Sequence, residues 1–530
     1  MNFLYLIVSI GFFLWVIQNI LFWVELWQQN EYSYARLYTH LKETVAGRSL
    51  IYSPLGILKI FLILIYGYIV LNPDFLAGYQ TLIGLIYVYQ GALVIKRYYQ
   101  RLYFRPIFTL KATISCLLPF FVISLLYFVP LTIERYFWLL LLDRFVVFLI
   151  LFIIFILSFP TTLYQDWYID GALKIMKKYN SIIVIGIAGS YGKTSTKEFL
   201  SQILKSKFNV VKTQMLHNNA FGIAKTVSDR ISPKTQVFIA EMGMYKKNEI
   251  AEIANIIKPK IGIITGISAQ HASLTGGIQA TIDAKYELIK RLSKDGLALF
   301  NGNNEYAYKL YKKTNKKKVL YGRENRLSAG IKALNVRMLK KSLTFDVLIN
   351  DRKLSFKTSL IGYQNIENIL PGIFIADKLG MKPEAIKKAV SSLSPIPHTM
   401  NIVTTISGAT IIDDTVNTDP EAIFSALDYM KLYKNRRILV LQPMIELGKD
   451  AEKIHYEVAK KISKICDFLF LTNSNFYKSI FGGIIDGDGE CYVKVGSAKL
   501  IAKFLLENCA NDDIVILEGK EAKNVLEEIL

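Results

Sequence analysis

The first 160 residues limit this chain more than any motif does. They hold about five apolar stretches, near residues 3–25, 54–72, 77–95, 107–129 and 136–159. Each approaches the roughly 20 residues that carry a helix across a bilayer. The first is too long and too uninterrupted for a cleaved signal peptide, and no small-residue cleavage site comes after it. The chain has 530 residues and is 52% hydrophobic. The apolar excess sits before residue 160, and the remainder reads as ordinary α/β protein.

Charge orients these stretches. Arg36, Lys42 and Arg48 lie after the first, and Lys96, Arg97, Arg101 and Arg105 after the third. The excess of Lys and Arg in cytoplasmic loops puts both segments inside. With five crossings the N-terminus is outside and everything after residue 160 is cytoplasmic, where ATP is. The expectation is a multi-pass protein of the inner (plasma) membrane, in contact with membrane lipids. The net charge of +21 fits basic loops against anionic lipid better than nucleic acid. The run Lys312–Lys318 reads as a solvated turn. Cys116, Cys466, Cys491 and Cys509 show no paired spacing and suit a reducing compartment. Asp143 and Arg144 fall inside the fifth stretch, where ionisable groups are costly and face partners or a cavity. They read as a mutually neutralising pair or as a site for a lipid-linked head group.

Past residue 180 the pattern changes. Ile182–Ile187 is a buried-strand run, succeeded by Gly189-Ser190-Tyr191-Gly192-Lys193-Thr194-Ser195 and then a helix with Phe199, Leu200, Ile203 and Leu204 on one face. Glycines let backbone N–H groups approach phosphate oxygens, and the helix start adds its positive end. In such a loop Lys193 reaches the β/γ-phosphates and Thr194 binds magnesium. The pattern is G-x-x-G-K-T-x-T, shorter than the general P-loop, since Ile187 stands where the first glycine would be. A second strand, Gln236–Ala240, ends in Glu241, placed to hold magnesium or its water. A third, Ile261–Thr265, leads to His271, and a helix carrying Ala284-Lys285-Tyr286 comes next. Of the five histidines, His271 is the one a strand end presents.

These residues, in this order, resemble the Mur ligase family, the ATP-dependent amide ligases that build the peptide of the bacterial cell wall. The family loop matches Gly189–Thr196. Its glutamate matches Glu241, its histidine His271, and its alanine–lysine pair Ala284-Lys285. Further on, "GYQNIENILPG" keeps Gly362, Asn365 and Asn368. "IDDTVNTDP" keeps Asp413, Asp414, Asn417 and Pro420, and "PMIELG" keeps Met444, Glu446, Leu447 and Gly448. The likeness covers about residues 180–530. "SYGKTSTKEFL", "HNNAFGI", "AKYELI" and "MIELG" are most like the members that add a dipeptide. Gln364, Val416, the stretch Pro397-His398-Thr399 and Glu518-Gly519-Lys520 depart from the family pattern, as does the helical segment where the family has a soluble UDP-binding domain.

The apolar stretches imply an all-α transmembrane bundle of about five helices at 1–165. The resemblance implies an α/β P-loop central domain at 166–396 and a Rossmann-like C-terminal domain at 397–530. It implies ATP and magnesium, two ions, with a carbamylated Lys285. Thr194 and Glu241 would hold one ion, and His271 with the Lys285 carbamate the other. Lys193 and the loop amides from Gly189 to Ser195 would hold the phosphates. Asn365 and Asn368 would meet the adenine side, and Asp414 and Asn417 would close over the nucleotide. His217, Asn218, Asn219 and Glu446 would bind substrate. The implied reaction joins D-alanyl-D-alanine, or a similar amino acid or dipeptide, to a cell-wall precursor that is UDP- or lipid-linked. A poly-γ-glutamate-type synthetase and an ATPase-coupled transport or sensor protein are the alternatives.

Overall fold

The computed structural model describes residues 3–43, 47, 53–100, 103–129, 134–215, 217–244, 248–268, 277–323, 330–349, 352–406, 408–416, 418–445 and 447–530. The chain divides into two compact units, Met1–Gln165 and Asp166–Leu530.

The first unit is helical among the described residues: α1 (Phe3–Gln29), α2 (Tyr34–Glu43), α3 (Pro54–Leu64), α4 (Tyr66–Leu71), α5 (Leu76–Tyr99), α6 (Leu110–Tyr127) and α7 (Arg135–Lys178), whose last residues lie in the second unit. Four of these, α1, α5, α6 and α7, are long and apolar enough to cross a membrane. The fifth expected stretch, 54–72, is instead bent into α3 and α4. Ile65 takes ψ −5°, well off the helical value, which turns the next peptide out of line. The ladder nevertheless carries through, from Ile65 N–H to Phe61 O at 3.0 Å and from Ile69 N–H to Ile65 O at 3.1 Å. Helices α1 and α5 approach closely at small residues, where a Cβ on Gly91 would lie 2.8 Å from Gly11 Cα. Val8, Phe12, Val16, Ile83, Tyr87 and Val146 fill the core of this unit.

The second unit holds two sheets. The larger has nine strands in the order β2-β3-β1-β4-β5-β6-β7-β8-β9: β1 (Ile183–Ala188), β2 (Val210–Lys212), β3 (Val237–Glu241), β4 (Ile261–Ile264), β5 (Leu297–Asn301), β6 (Lys317–Gly322), β7 (Ile331–Leu339), β8 (Ser342–Ile349) and β9 (Arg352–Thr358). Pairings from β2 to β7 are parallel, and β7, β8 and β9 form an antiparallel extension. The central strands are continuous apolar runs because helices cover both faces. They are α8 (Lys193–Leu204), α9 (Ala220–Arg230), α10 (Glu249–Ile257), α11 (Ile278–Lys290), α12 (Glu305–Lys313), α13 (Gln364–Lys378) and α14 (Pro383–Ser391). The smaller sheet runs β10-β11-β15-β12-β13-β14. Its strands are β10 (Asn401–Ile406), β11 (Ala409–Asp414), β12 (Arg437–Leu441), β13 (Phe468–Leu471), β14 (Tyr492–Val495) and β15 (Ile514–Glu518), parallel except for the β10–β11 pair. Helices α15 (Pro420–Met430), α16 (Ala451–Ser463), α17 (Tyr477–Ile485), α18 (Ala498–Asn508) and α19 (Ala522–Ile529) complete it.

Strand β1 lies between β3 and β4, where successive connections run to opposite sides of the sheet. Open α/β sheets bind ligands outside the carboxyl ends of their strands at such a point. Gly189, Glu241 and Thr265 all stand at those ends.

Candidate active site

The chain leaves β1 through Gly189-Ser190-Tyr191-Gly192 and enters α8 at Lys193. Gly192 has φ +77°, and a Cβ there would sit 2.7 Å from Asn368 Oδ1. The position therefore needs glycine both for its backbone and for its room. Ser190 N–H donates to Gly266 O at 2.6 Å, and Thr265 Oγ1 donates to Tyr191 O at 2.6 Å. These bonds tie the loop to the end of β4. Lys193 Nζ folds back onto Ser190 O at 2.8 Å. Burial pushes its ammonium below the ordinary lysine value, against the pull of Glu241 and Asp419.

Thr194 Oγ1 lies 3.0 Å from each carboxylate oxygen of Glu241. Lys197, one turn further along α8 and fully buried, places Nζ 3.0 Å from Glu241 Oε2. Burial alone would raise the Glu241 carboxyl, but the ammonium groups of Lys197 and Lys193 outweigh it and hold it below the ordinary value. A hydroxyl and an ionised carboxylate at one spot are the oxygen donors that magnesium prefers, so these residues fit that ion. Sequence reasoning missed Lys197, although its spacing of four from Lys193 puts both on one helix face.

Lys285 of α11 is 3% exposed and has no acidic partner among the described residues. Burial, then Lys193, pushes its ammonium well below the ordinary range. His271, Asn417 and Glu446 lie outside the described residues. Among the described residues, no group of three or more His, Cys, Asp or Glu could hold a metal by itself.

The smaller sheet closes the cleft. Tyr191, Gly192, Ser195, Asn365 and Asn368 line it from the larger sheet, with Asp414 and Asp419 opposite. Asn365 Nδ2 donates to Ile361 O at 2.7 Å, and Thr196 Oγ1 donates to Asn368 Oδ1 at 3.4 Å. Arg323 Nε pairs with Glu367 Oε1 at 2.8 Å, and Asn301 Nδ2 donates to Glu367 Oε2 at 2.8 Å. These fix one wall. Met400 N–H donates to Asp414 Oδ1 at 3.1 Å. Asp419 caps α15 by accepting from Glu421 N–H at 3.0 Å and Ala422 N–H at 3.2 Å. Fully buried Glu518 ends β15, beside Asp414. Burial and that neighbour push its carboxyl well above the ordinary range.

The HNN stretch lies beside the end of β3. Asn218 O accepts from Gly243 N–H at 2.7 Å. Asn219 Oδ1 accepts from Gly222 N–H at 2.8 Å and caps α9, so this side chain already has a structural task. The His217 imidazole is held below its ordinary value by burial and by Lys225 and Arg230.

Residues 187–376 match the model of the Mur ligase middle domain, and residues 398–521 match the Mur ligase glutamate ligase domain. The chain belongs to the Mur ligase family. The P-loop, Glu241, Lys285 and the asparagines of α13 fall in the Mur middle domain, and Asp414 and Glu518 in the second. Among curated relatives, the UDP-N-acetylmuramoyl-tripeptide–D-alanyl-D-alanine ligase of Bacillus subtilis is 28% identical over 285 residues, 53% of this chain and 60% of the relative. The enzyme of that name from Synechocystis is 30% identical over 297 residues, 55% of this chain and 62% of the relative. The chain thus spans about 60% of the length of these Mur ligases. Among solved structures, MurF from Acinetobacter baumannii superposes with TM-score 0.63 at 18% identity, covering 69% of this chain and 80% of that one. The MurF ligase of Thermotoga maritima, solved with ADP, gives 0.62 at 21% identity, with 69% and 83% covered. At these identities the structures show a shared fold.

Proposed function

We propose that this chain is a membrane-embedded, ATP-dependent peptide ligase that joins D-alanyl-D-alanine, or a close relative of it, to a muramoyl peptide. The observation that carries the reading is Thr194 on Glu241, beside Lys193, in the loop whose Gly192 and Ser195 line a cleft that Asp414 and Asp419 close from the second domain. A poly-γ-glutamate synthetase would share this site, and the names of the relatives favour the muramoyl peptide over it; a transport or sensor ATPase has no observation in its favour.

The resemblance supplies the reaction. The acceptor carboxylate attacks the γ-phosphate of ATP to give an acyl phosphate, and the amine then displaces phosphate to form the amide. Magnesium, held by Thr194 and Glu241, would neutralise phosphate charge. Little covalent work falls to the protein, so positioning and charge do most of it. Lys193 and the amides of Gly189–Ser195 orient the phosphates. Lys197 keeps Glu241 ionised and in place. The Asp414 and Asp419 side of the cleft excludes water that would hydrolyse the acyl phosphate. Lys285, buried with no acid to pair with among the described residues, suits carriage of a carbamate, an oxygen donor for a second ion; His271 would complete that site.

Helices α1–α7 are read as the membrane part, with the ligase unit on the cytoplasmic side. The basic residues after α1 and at the end of α5 support this. The acceptor is read as lipid-linked. Phosphate release by the full chain in detergent, with candidate acceptors and amines and with products weighed by mass spectrometry, tests the assignment. An amide product supports it, whereas ATP hydrolysis with every pairing and no product removes it.

A further inference from the structure

The helical unit contains a charge cluster that the ligase chemistry does not use. Lys59 of α3 and Asp143 of α7 are fully buried and pair at 2.6 Å. Lys59 Nζ also donates to Gln90 Oε1 at 2.7 Å, and Trp15 Nε1 donates to Asp143 Oδ1 at 2.9 Å. That pair is neutral and well hydrogen-bonded. Arg144 then places Nη2 2.9 Å from the same Asp143 Oδ2, so the cluster holds two cations to one anion. An uncompensated charge in hydrocarbon is costly and marks a functional group.

Arg144 is not sealed in. Its side chain is 32% exposed, while its Nε is buried with no hydrogen-bond partner among the described residues. Nη1 lies 3.9 Å from where a Cβ of Gly56 would be. Gly56 is in the first turn of α3, so the guanidinium sits at the end of that helix and not at its middle. Beside it a cavity of about 380 Å³ is walled by Leu126, Trp138, Leu141, Leu142, Phe145 and Phe148.

We propose that Arg144 and this groove bind a lipid monophosphate with a single hydrocarbon chain, the phosphate on the guanidinium and the chain along the groove. The phosphate supplies the missing negative charge. The planar guanidinium fork matches phosphate oxygens through paired N–H donors. One cation beside one groove seats one chain and leaves the second chain of a phospholipid without a place. The proposal rests on the membrane reading of α1–α7 and deepens it, because it makes the carrier of the ligase acceptor a lipid phosphate.

The test uses the full chain in nanodiscs of neutral phosphatidylcholine with radiolabelled farnesyl phosphate as probe. Saturable binding of one probe per chain is expected, with farnesol and phosphatidylglycerol failing to compete at tenfold excess. Arg144→Gln keeps a donor for Asp143 and removes the charge; it should weaken binding at least tenfold with an unchanged melting temperature. Leu141→Trp fills the groove without touching the cluster and should weaken binding as well. Lys193→Ala should bind as wild type, so loss of ligase activity and loss of this site are read separately. Equal competition by farnesol, displacement by phosphatidylglycerol, or wild-type binding in both variants would overturn the proposal. Thiol mapping of the loops reads the membrane assignment independently.

Discussion

Thr194 Oγ1 is equidistant, at 3.0 Å, from the two carboxylate oxygens of Glu241. The hydroxyl comes from the start of α8 and the carboxylate from the end of β3, so neighbouring strand ends bring together two groups 47 residues apart. The contact joins the phosphate-binding loop to the acid expected to share its metal.

Lys197 completes that contact, and its removal takes away the ammonium paired with a buried carboxylate. Breaking a buried pair by deleting one partner costs about 3–5 kcal/mol. Lys197→Met should therefore lower the unfolding free energy by that order and raise the magnesium concentration needed for half-maximal activity. Adding Glu241→Gln should recover much of the stability and none of the activity. Urea titration of the two single variants and the double variant checks this. Strictly additive losses would show that the pair is not coupled.

Lys285→Ala should lower turnover at least ~100-fold, as expected for a lost group at a charge-stabilising site. A carbamate leaves room for a small carboxylate, so acetate or formate should restore part of the rate. Initial rates with and without these acids give the answer. Wild-type turnover in the variant would end the carbamate reading.

His455 couples stability to pH. Its Nε2 accepts Met444 N–H at 3.0 Å, and its Nδ1 donates to Ala451 O at 2.7 Å, which requires the neutral ring. Burial pushes it from 6.5 down to about 4. The folded value lies below the unfolded one, so the stabilisation is fully present above about pH 6.5 and is lost as pH falls toward 4. Its size is up to ~3 kcal/mol. Denaturant unfolding at pH 7.5 and pH 4.5 should show a fall that His455→Gln largely removes. Equal falls in both proteins would contradict it.

The bent helix α3–α4 decides the topology. If it crosses, Lys42 and Asp74 lie on opposite faces of the membrane. If it does not, they lie on the same face. The basic residues favour five crossings with the N-terminus outside. In intact cells, a membrane-impermeant thiol reagent should label Asp74→Cys and leave Lys42→Cys unlabelled. Labelling of both or of neither would leave four crossings.

Much of the candidate site was legible because its residues lie in short local runs. The glycines, Lys193 and Thr194 sit within six consecutive positions, and a strand and a helix flank them in order. Glu241 was legible as the acid at a strand end. Lys197 was not, because a lysine in an amphipathic helix reads as solvated until β3 is packed beside it. Asp143 and Arg144 stood out by their surroundings, yet the partner Lys59 is 84 residues away, and no local pattern names it. The bend at Ile65 was hidden as well, since 54–72 is apolar apart from Lys59 and Asn72, and composition does not register one backbone angle.

Oxygen transfer reads directly whether ATP is spent on an acyl phosphate. With ¹⁸O in the acceptor carboxylate, attack on the γ-phosphate places one labelled oxygen between carbon and phosphorus, and amine attack releases it with phosphate. One ¹⁸O is expected in each phosphate released when both acceptor oxygens are labelled, with one amide per phosphate, and neither product from Lys193→Ala. Unlabelled phosphate released without an amide would contradict it and make the chain an ATPase of another kind.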